Sequence, residues 1–126
     1  MKLYVIGIGP GGREDMTLRA VNALKDCDTL VGYPVYVDLV KHLFEGERIL
    51  TTPMKQEIER CTMAVEQALA GHTVAMVCSG DAGIYGMAGL ILEVAKGHPE
   101  LDVEIVPGVT AALSGAAVLG APLAHD

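Results

Sequence analysis

The chain of 126 residues has no tryptophan, one phenylalanine and four tyrosines. Its apolar mass is therefore Val, Ile, Leu, Ala and Met, a composition that suits strands buried on both faces. Basic residues are also scarce: 9 Lys and Arg stand against 16 Asp and Glu, giving a formal net charge of −7. A nucleic-acid surface needs clustered Lys and Arg, so that class of partner is set aside. The three cysteines, Cys27, Cys61 and Cys78, form no C-x-x-C pair. An odd count without ligand spacing argues against a disulfide framework or a zinc site; the three read as small buried residues in a reducing cytosol. His42, His72, His98 and His125 are dispersed and lack metal-ligand spacing, so they read as surface or loop residues and no metal is expected. No apolar run approaches the ~18 residues of a membrane span. The segment Met1–Gly7 has neither the apolar length nor the cleavage site of a signal peptide. A soluble, cytoplasmic protein of one domain is expected.

What is present is a repeated alternation of short apolar runs and helical patterns. Strands are expected at Leu3–Ile8, Thr29–Val31, Arg48–Leu50, Thr73–Cys78 and Val103–Val106. Leu18, Val21 and Leu24 recur at helical spacing behind a cap at Asp15 or Thr17. Pro34 opens a second helix running through Leu43, and Pro53 marks the start of a third. Ile58, Cys61, Val65, Ala68 and Leu69 form one face of that third helix, which Gly71 ends. Glu57, Glu59 and Glu66 fall on its solvated side. Ile84, Met87, Ala88, Ile91, Leu92 and Ala95 line a fourth helix, and a fifth carries Ala111, Ala112, Gly115, Ala116 and Leu119. Its small residues imply close packing against a neighbour. Five strand–helix repeats predict an α/β fold: a mainly parallel five-stranded sheet flanked by helices. Gly120–Asp126 reads as a loop-like connection to something further.

Glycine-containing turns follow strands one, four and five, at Gly7–Gly12, Ser79–Gly86 and Pro107–Ala111. Ligands of open parallel sheets bind outside the carboxyl ends of strands, and glycine there lets backbone approach closely. Gly7, Gly9 and Gly12 satisfy G-x-G-x-x-G, but a dinucleotide site needs a helix opening on the last glycine and an acid about 20 positions later. Here the helical pattern starts nearer Thr17, and strand two ends in Gly32-Tyr33. Asp81 and Thr110 also fit plain helix caps. The methionines read as core filler.

Taken together, these turns resemble those of the tetrapyrrole (corrin/porphyrin) methylase family. The matching residues are Val5-Ile6-Gly7-Ile8-Gly9-Pro10-Gly11, Ser79-Gly80-Asp81 and Pro107-Gly108-Val109-Thr110-Ala111. Val31-Gly32-Tyr33-Pro34-Val35-Tyr36, the stretch Ser79–Gly89 and the closing Leu119–Asp126 are similar to the branch that methylates precorrin-3B or cobalt-factor III at C17. Many relatives carry proline after the Gly-Asp pair, where this chain has Ala82. The resemblance implies a two-domain fold holding S-adenosylmethionine in the cleft between domains. Residues 1–126 would supply the first, N-terminal α/β domain, with the second absent. It also implies donor contacts from Pro10, Ser79, Gly80, Asp81, Ile84, Thr110 and Ala111, a precorrin or cobalt-precorrin substrate, and a homodimer. The reaction implied is C17 methylation with ring contraction in cobalamin biosynthesis.

Methyl transfer from a sulfonium is an in-line displacement with a good leaving group, so alignment supplies most of the catalysis and no catalytic nucleophile is needed. Asp15, Tyr33 and Tyr36 stand near strand exits without an assigned role. Other readings stay open: a methylase acting at another ring carbon, a nicotinamide-dependent oxidoreductase domain, and a non-catalytic module that dimerises through its small-residue helix.

Overall fold

A computed structural model describes residues 1–124; the readings placed on His125 and on the last two positions of the closing segment lie outside the described residues. Five parallel strands form one sheet in the order β3-β2-β4-β1-β5. They are β1 (Lys2–Gly7), β2 (Thr29–Gly32), β3 (Arg48–Thr51), β4 (Thr73–Cys78) and β5 (Asp102–Val106). The helices are α1 (Leu18–Asp26), α2 (Pro34–Val40), α3 (Glu57–Leu69), α4 (Ala88–Ala95) and α5 (Ala111–Leu119). The parallel five-stranded α/β fold expected from the alternation is present.

Successive strand residues face opposite layers, and the core divides accordingly. Ile6, Leu30, Ala75 and Val77 pack with Ala20 and Leu24 of α1 and Val37 and Val40 of α2. Val5, Val31, Val74 and Met76 pack with Cys61, Ala64 and Val65 of α3 and Ile91 of α4. Burying each larger aliphatic side chain contributes about 1.5–3 kcal/mol, so the two layers lock the central strands β1 and β4 from both sides. The edge strand β5 is half-open. Its Asp102 and Glu104 are tied by Lys2 at 2.8 and 3.1 Å and Glu104 by Arg19 at 2.8 Å. Charges on an exposed edge discourage pairing with another chain.

Local chemistry sets the helix starts. Thr17 caps α1, its hydroxyl accepting the Ala20 N–H at 3.0 Å and satisfying one of the orphan donors of the first turn. Pro34 occupies the first turn of α2 as expected. That helix stops at Val40, and a single 3₁₀ turn at Lys41–Leu43 carries the chain on.

Three further elements differ from the pattern reading. The third helix begins at Glu57, not at Pro53, because Lys55 adopts φ 68°; Ile58 consequently faces solvent. The fourth begins at Ala88: Tyr85 has φ 54°, and a Cβ on Gly86 would lie 2.3 Å from the Ala82 carbonyl oxygen. Ile84 is exposed and outside any helix. The small-residue helix α5 buries none of its residues among the described part of the chain.

Candidate functional site

Strands β4 and β1 are neighbours, but their connections depart to opposite faces, β1 to α1 and β4 to α4. That divergence opens a crevice at their carboxyl ends. Three turns converge there through backbone. Ile8 N–H donates to the Cys78 carbonyl at 2.9 Å, Gly9 N–H to the Gly80 carbonyl at 2.9 Å, and Val109 N–H to the Gly9 carbonyl at 3.3 Å.

The glycines make this approach possible. A Cβ on Gly9 would stand 2.1 Å from the Val109 oxygen and 2.3 Å from Gly80 Cα. One on Gly108 would stand 2.2 Å from the Gly80 oxygen. Gly80 itself turns at φ 58°, a conformation open to glycine at little cost.

Asp81 completes the junction. Its Oδ1 accepts the Gly108 N–H and its Oδ2 the Gly83 N–H, each at 2.9 Å. It does not cap α4, which starts seven residues later; the carboxylate instead holds the exits of β4 and β5 together.

Above this junction lies a hollow of about 320 Å³. Pro10, Ser79, Gly80, Ile84, Thr110 and Ala111 line it, six of the seven positions singled out from the sequence; Asp81 lies outside the lining. Tyr85, Val109 and Ser114 complete the wall. Ser114 was legible in principle, because it follows Thr110 by four helical positions and so shares its face. Thr110 is the N-cap of α5, yet its side chain makes no capping bond. The wall offers hydroxyls, backbone and apolar carbon, with neither Lys nor Arg.

A second hollow of about 190 Å³ adjoins the first, sharing Ser79 and Tyr85. Tyr33, Tyr36, Cys78 and Arg60 also line it. Burial pushes the Cys78 thiol up to about 11, against a backbone hydrogen bond and the opposing pull of Arg60, so it is no thiolate near neutral pH. Asp15 lies in a more open hollow between Pro10 and α5, which shares Pro10, Val109 and Ser114 with the first. All three cysteines are buried and unbridged. No group of three or more His, Cys, Asp or Glu among the described residues is arranged to hold a metal, and none of their helices is long and apolar enough to cross a membrane.

The first turn is poorly suited to a dinucleotide. Gly7 and Gly9 are buried, and the Gly9 N–H is already committed to Gly80. A 3₁₀ turn at Arg13–Asp15 separates the glycines from α1, and β2 ends in Gly32 without an acid. The helix N-terminus and ribose-binding carboxylate of such sites are therefore missing from their places.

Known proteins are similar to this chain in sequence and fold. A cobalt-factor III C(17)-methyltransferase, described as probable, from Salmonella typhimurium is 51% identical over 125 residues, covering 98% of this chain and 52% of the relative. The crystal structure of the methyltransferase CobJ superposes with a TM-score of 0.86 at 41% identity, over 98% of this chain and 53% of that one. The uroporphyrin-III C-methyltransferase of Thermus thermophilus, solved with S-adenosylhomocysteine, gives 0.81 at 31% identity over 100% and 54%. The chain thus spans about half the length of the relatives it matches. The description "Tetrapyrrole (Corrin/Porphyrin) Methylases" fits residues 2–126, the three converging turns included, and the chain belongs to that family.

Proposed function

We propose that the hollow at the ends of β1, β4 and β5 holds S-adenosylmethionine, and that this chain is the donor-binding half of a methyltransferase acting at C17 of precorrin-3B or cobalt-factor III. The observation that carries the reading is the convergence of Pro10, Ser79, Gly80, Ile84, Thr110 and Ala111 on one hollow free of basic side chains. A wall without Lys or Arg does not repel a cationic sulfonium. Its hydroxyls and carbonyls suit the polar parts of the donor, and Ile84, Val109 and Ala111 suit the apolar parts.

Bound there, the donor supplies a methyl group on a leaving sulfur. A ring carbon would supply the electron pair, its bond to the methyl group forming as the carbon–sulfur bond breaks, with the thioether leaving neutral and the positive charge passing to the ring. The chain's own contribution is position. Asp81 fixes the spacing between the β4 and β5 turns, so the hydroxyls of Ser79 and Thr110 are held before anything binds. Preorganisation of this kind can lower a barrier by several kcal/mol, with about 7–11 as the ceiling for ideal alignment. The excursion of Tyr85 and Ile84 into solvent leaves both free to close on a ligand.

The reading includes a second domain beyond residue 126, supported by the length of the relatives. It includes a cytoplasmic setting, supported by three unbridged cysteines, and a homodimer, supported by exposed Leu113, Val118 and Leu119 on α5. The test is a ¹⁵N NMR titration of the chain with S-adenosylhomocysteine and, separately, NADH. Amide shifts are expected at Gly80, Ile84, Thr110 and Ala111 with the former, and none with NADH up to millimolar concentration. Shifts confined to other surfaces, or tighter NADH binding, would overturn the assignment.

A further inference from the structure

Arg60 sits in the first turns of α3 and is the one basic residue buried within the described structure, 6% exposed. Its Nε donates to Thr52 Oγ1 at 2.9 Å and its Nη2 to the Pro53 carbonyl at 3.3 Å. Both acceptors are neutral. The guanidinium carbon lies 5.7 Å from the centre of the Tyr33 ring. Lys2, Arg19, Lys41 and Lys96 all reach a carboxylate, yet among the described residues none lies within 4 Å of Arg60. A buried cation without a counter-charge is unfavourable, and a chain with 16 acidic residues had ample means to supply one.

The third nitrogen, Nη1, is left without an acceptor among the described residues, and no buried side-chain nitrogen there lacks a partner. Nη1 therefore opens to solvent, and the space that Arg60 lines is the smaller hollow. Lys55 and Glu57 on its lining are both exposed and of opposite sign, so with Arg60 the lining carries a net positive charge. Tyr33 and Tyr36 add apolar wall, their rings 5.5 Å apart and inclined at 54°.

We propose that this hollow is a carboxylate subsite, in which Arg60 binds one peripheral acid arm of the tetrapyrrole; the inference rests on the methyltransferase reading for the identity of the ring. About 190 Å³ is room for a short carboxylate arm and far too little for a ring of four pyrroles. The arm enters and the ring stays outside, against Tyr33, Tyr36 and Tyr85. A guanidinium edge matches a carboxylate in both charge and geometry. Because Ser79 and Tyr85 belong to both hollows, an arm anchored on Arg60 brings the ring alongside the donor. Arg60 acts here as a positioning residue that orients the ring.

The experiment titrates uroporphyrin, a porphyrin with eight carboxylates, by fluorescence against the wild-type chain, Arg60→Gln, Arg60→Lys and Lys96→Gln. It repeats the S-adenosylhomocysteine NMR titration on each. Arg60→Gln is expected to weaken uroporphyrin about ten-fold, and Arg60→Lys, which keeps the charge but loses the planar edge, by a smaller factor. Lys96→Gln removes one positive charge from a remote surface position and should change nothing; the donor-site shifts should persist in every variant. Equal uroporphyrin affinity in the wild type and Arg60→Gln would overturn the subsite, as would an equal loss in Lys96→Gln. Should Arg60→Gln fail to fold, an unchanged affinity in Arg60→Lys would overturn it instead. Loss of S-adenosylhomocysteine binding in the wild type, with the Arg60 dependence intact, would sink the donor assignment alone.

Discussion

The carboxylate of Asp81 grips the backbone of Gly108, 27 positions later in the chain, with Oδ1 accepting the Gly108 N–H at 2.9 Å. The other oxygen takes the Gly83 N–H at the same distance. One side chain thus sets the distance between the exits of β4 and β5, on which the shape of the hollow above them depends.

Asp81→Ala removes both bonds and strands the Gly108 donor, which is only partly exposed. A loss of about 1–3 kcal/mol is expected in urea denaturation. Asp81→Asn keeps one accepting oxygen and should cost roughly half as much. Both variants should weaken S-adenosylhomocysteine even though Asp81 does not line the hollow. Full stability in Asp81→Ala would show that the two strand exits hold their spacing without this side chain.

The glycines give a paired prediction with opposite signs. At Gly9 a methyl group would meet the Val109 oxygen at 2.1 Å and Gly80 Cα at 2.3 Å. Both are backbone atoms tied into the junction, so nothing flexible can yield. Gly9→Ala should destabilise by about 3 kcal/mol or more, as severe overpacking does. At Gly89, inside α4, a Cβ meets nothing within 4 Å. Gly89→Ala should therefore stabilise by about 0.5–1 kcal/mol through helix propensity alone. Thermal melts of the two variants check both signs; a tolerated Gly9→Ala would mean that the β1 turn is not clamped.

The junction glycines were readable from sequence because glycine at a strand exit marks backbone that turns sharply or is closely approached. The same holds for the strands, whose apolar runs are bounded by turns on both sides. Arg60 was not readable. A charged residue beside Glu57 and Glu59 looks like part of a solvated helix face, and its burial depends on Thr52, Pro53 and Tyr33 meeting it from other elements. Ile84 misled in the opposite direction. Its spacing to Met87, Ala88 and Ile91 fits a helix, but the left-handed turn at Tyr85 and the contact of Gly86 with Ala82 break the pattern first. Periodicity reports which residues could share a face; it does not report where backbone crowding lets the helix begin. The small residues of α5 implied close packing against a neighbour, but none of them is buried among the described residues, because small side chains mark where a close approach is allowed and not where one occurs.

Far from the site, Asp28 ties the amino-terminal ends of three strands. Its carboxylate accepts from the Thr29 hydroxyl at 2.6 Å, from His72 Nδ1 at 3.1 Å and from the Thr73 N–H at 3.3 Å. Its carbonyl accepts the Arg48 N–H at 3.3 Å. Burial alone would raise its pKa, but the hydrogen bonds from Thr29 and Thr73 and the nearby His72 outweigh that and hold it below the ordinary carboxylate value. A carboxyl group with a depressed pKa in the folded state stabilises the fold above its unfolded pKa of ~3.9, and that contribution disappears as pH falls through the folded value. The side chain is 52% exposed, so solvent screening limits the effect to under about 1 kcal/mol. Asp28→Asn should therefore be slightly less stable than the wild type at pH 7, and the gap should close as pH drops below about 4. Urea midpoints of both proteins at pH 7 and pH 3 decide the matter. A gap that persists or widens at pH 3 would mean that Asp28 acts through its shape and not through its charge.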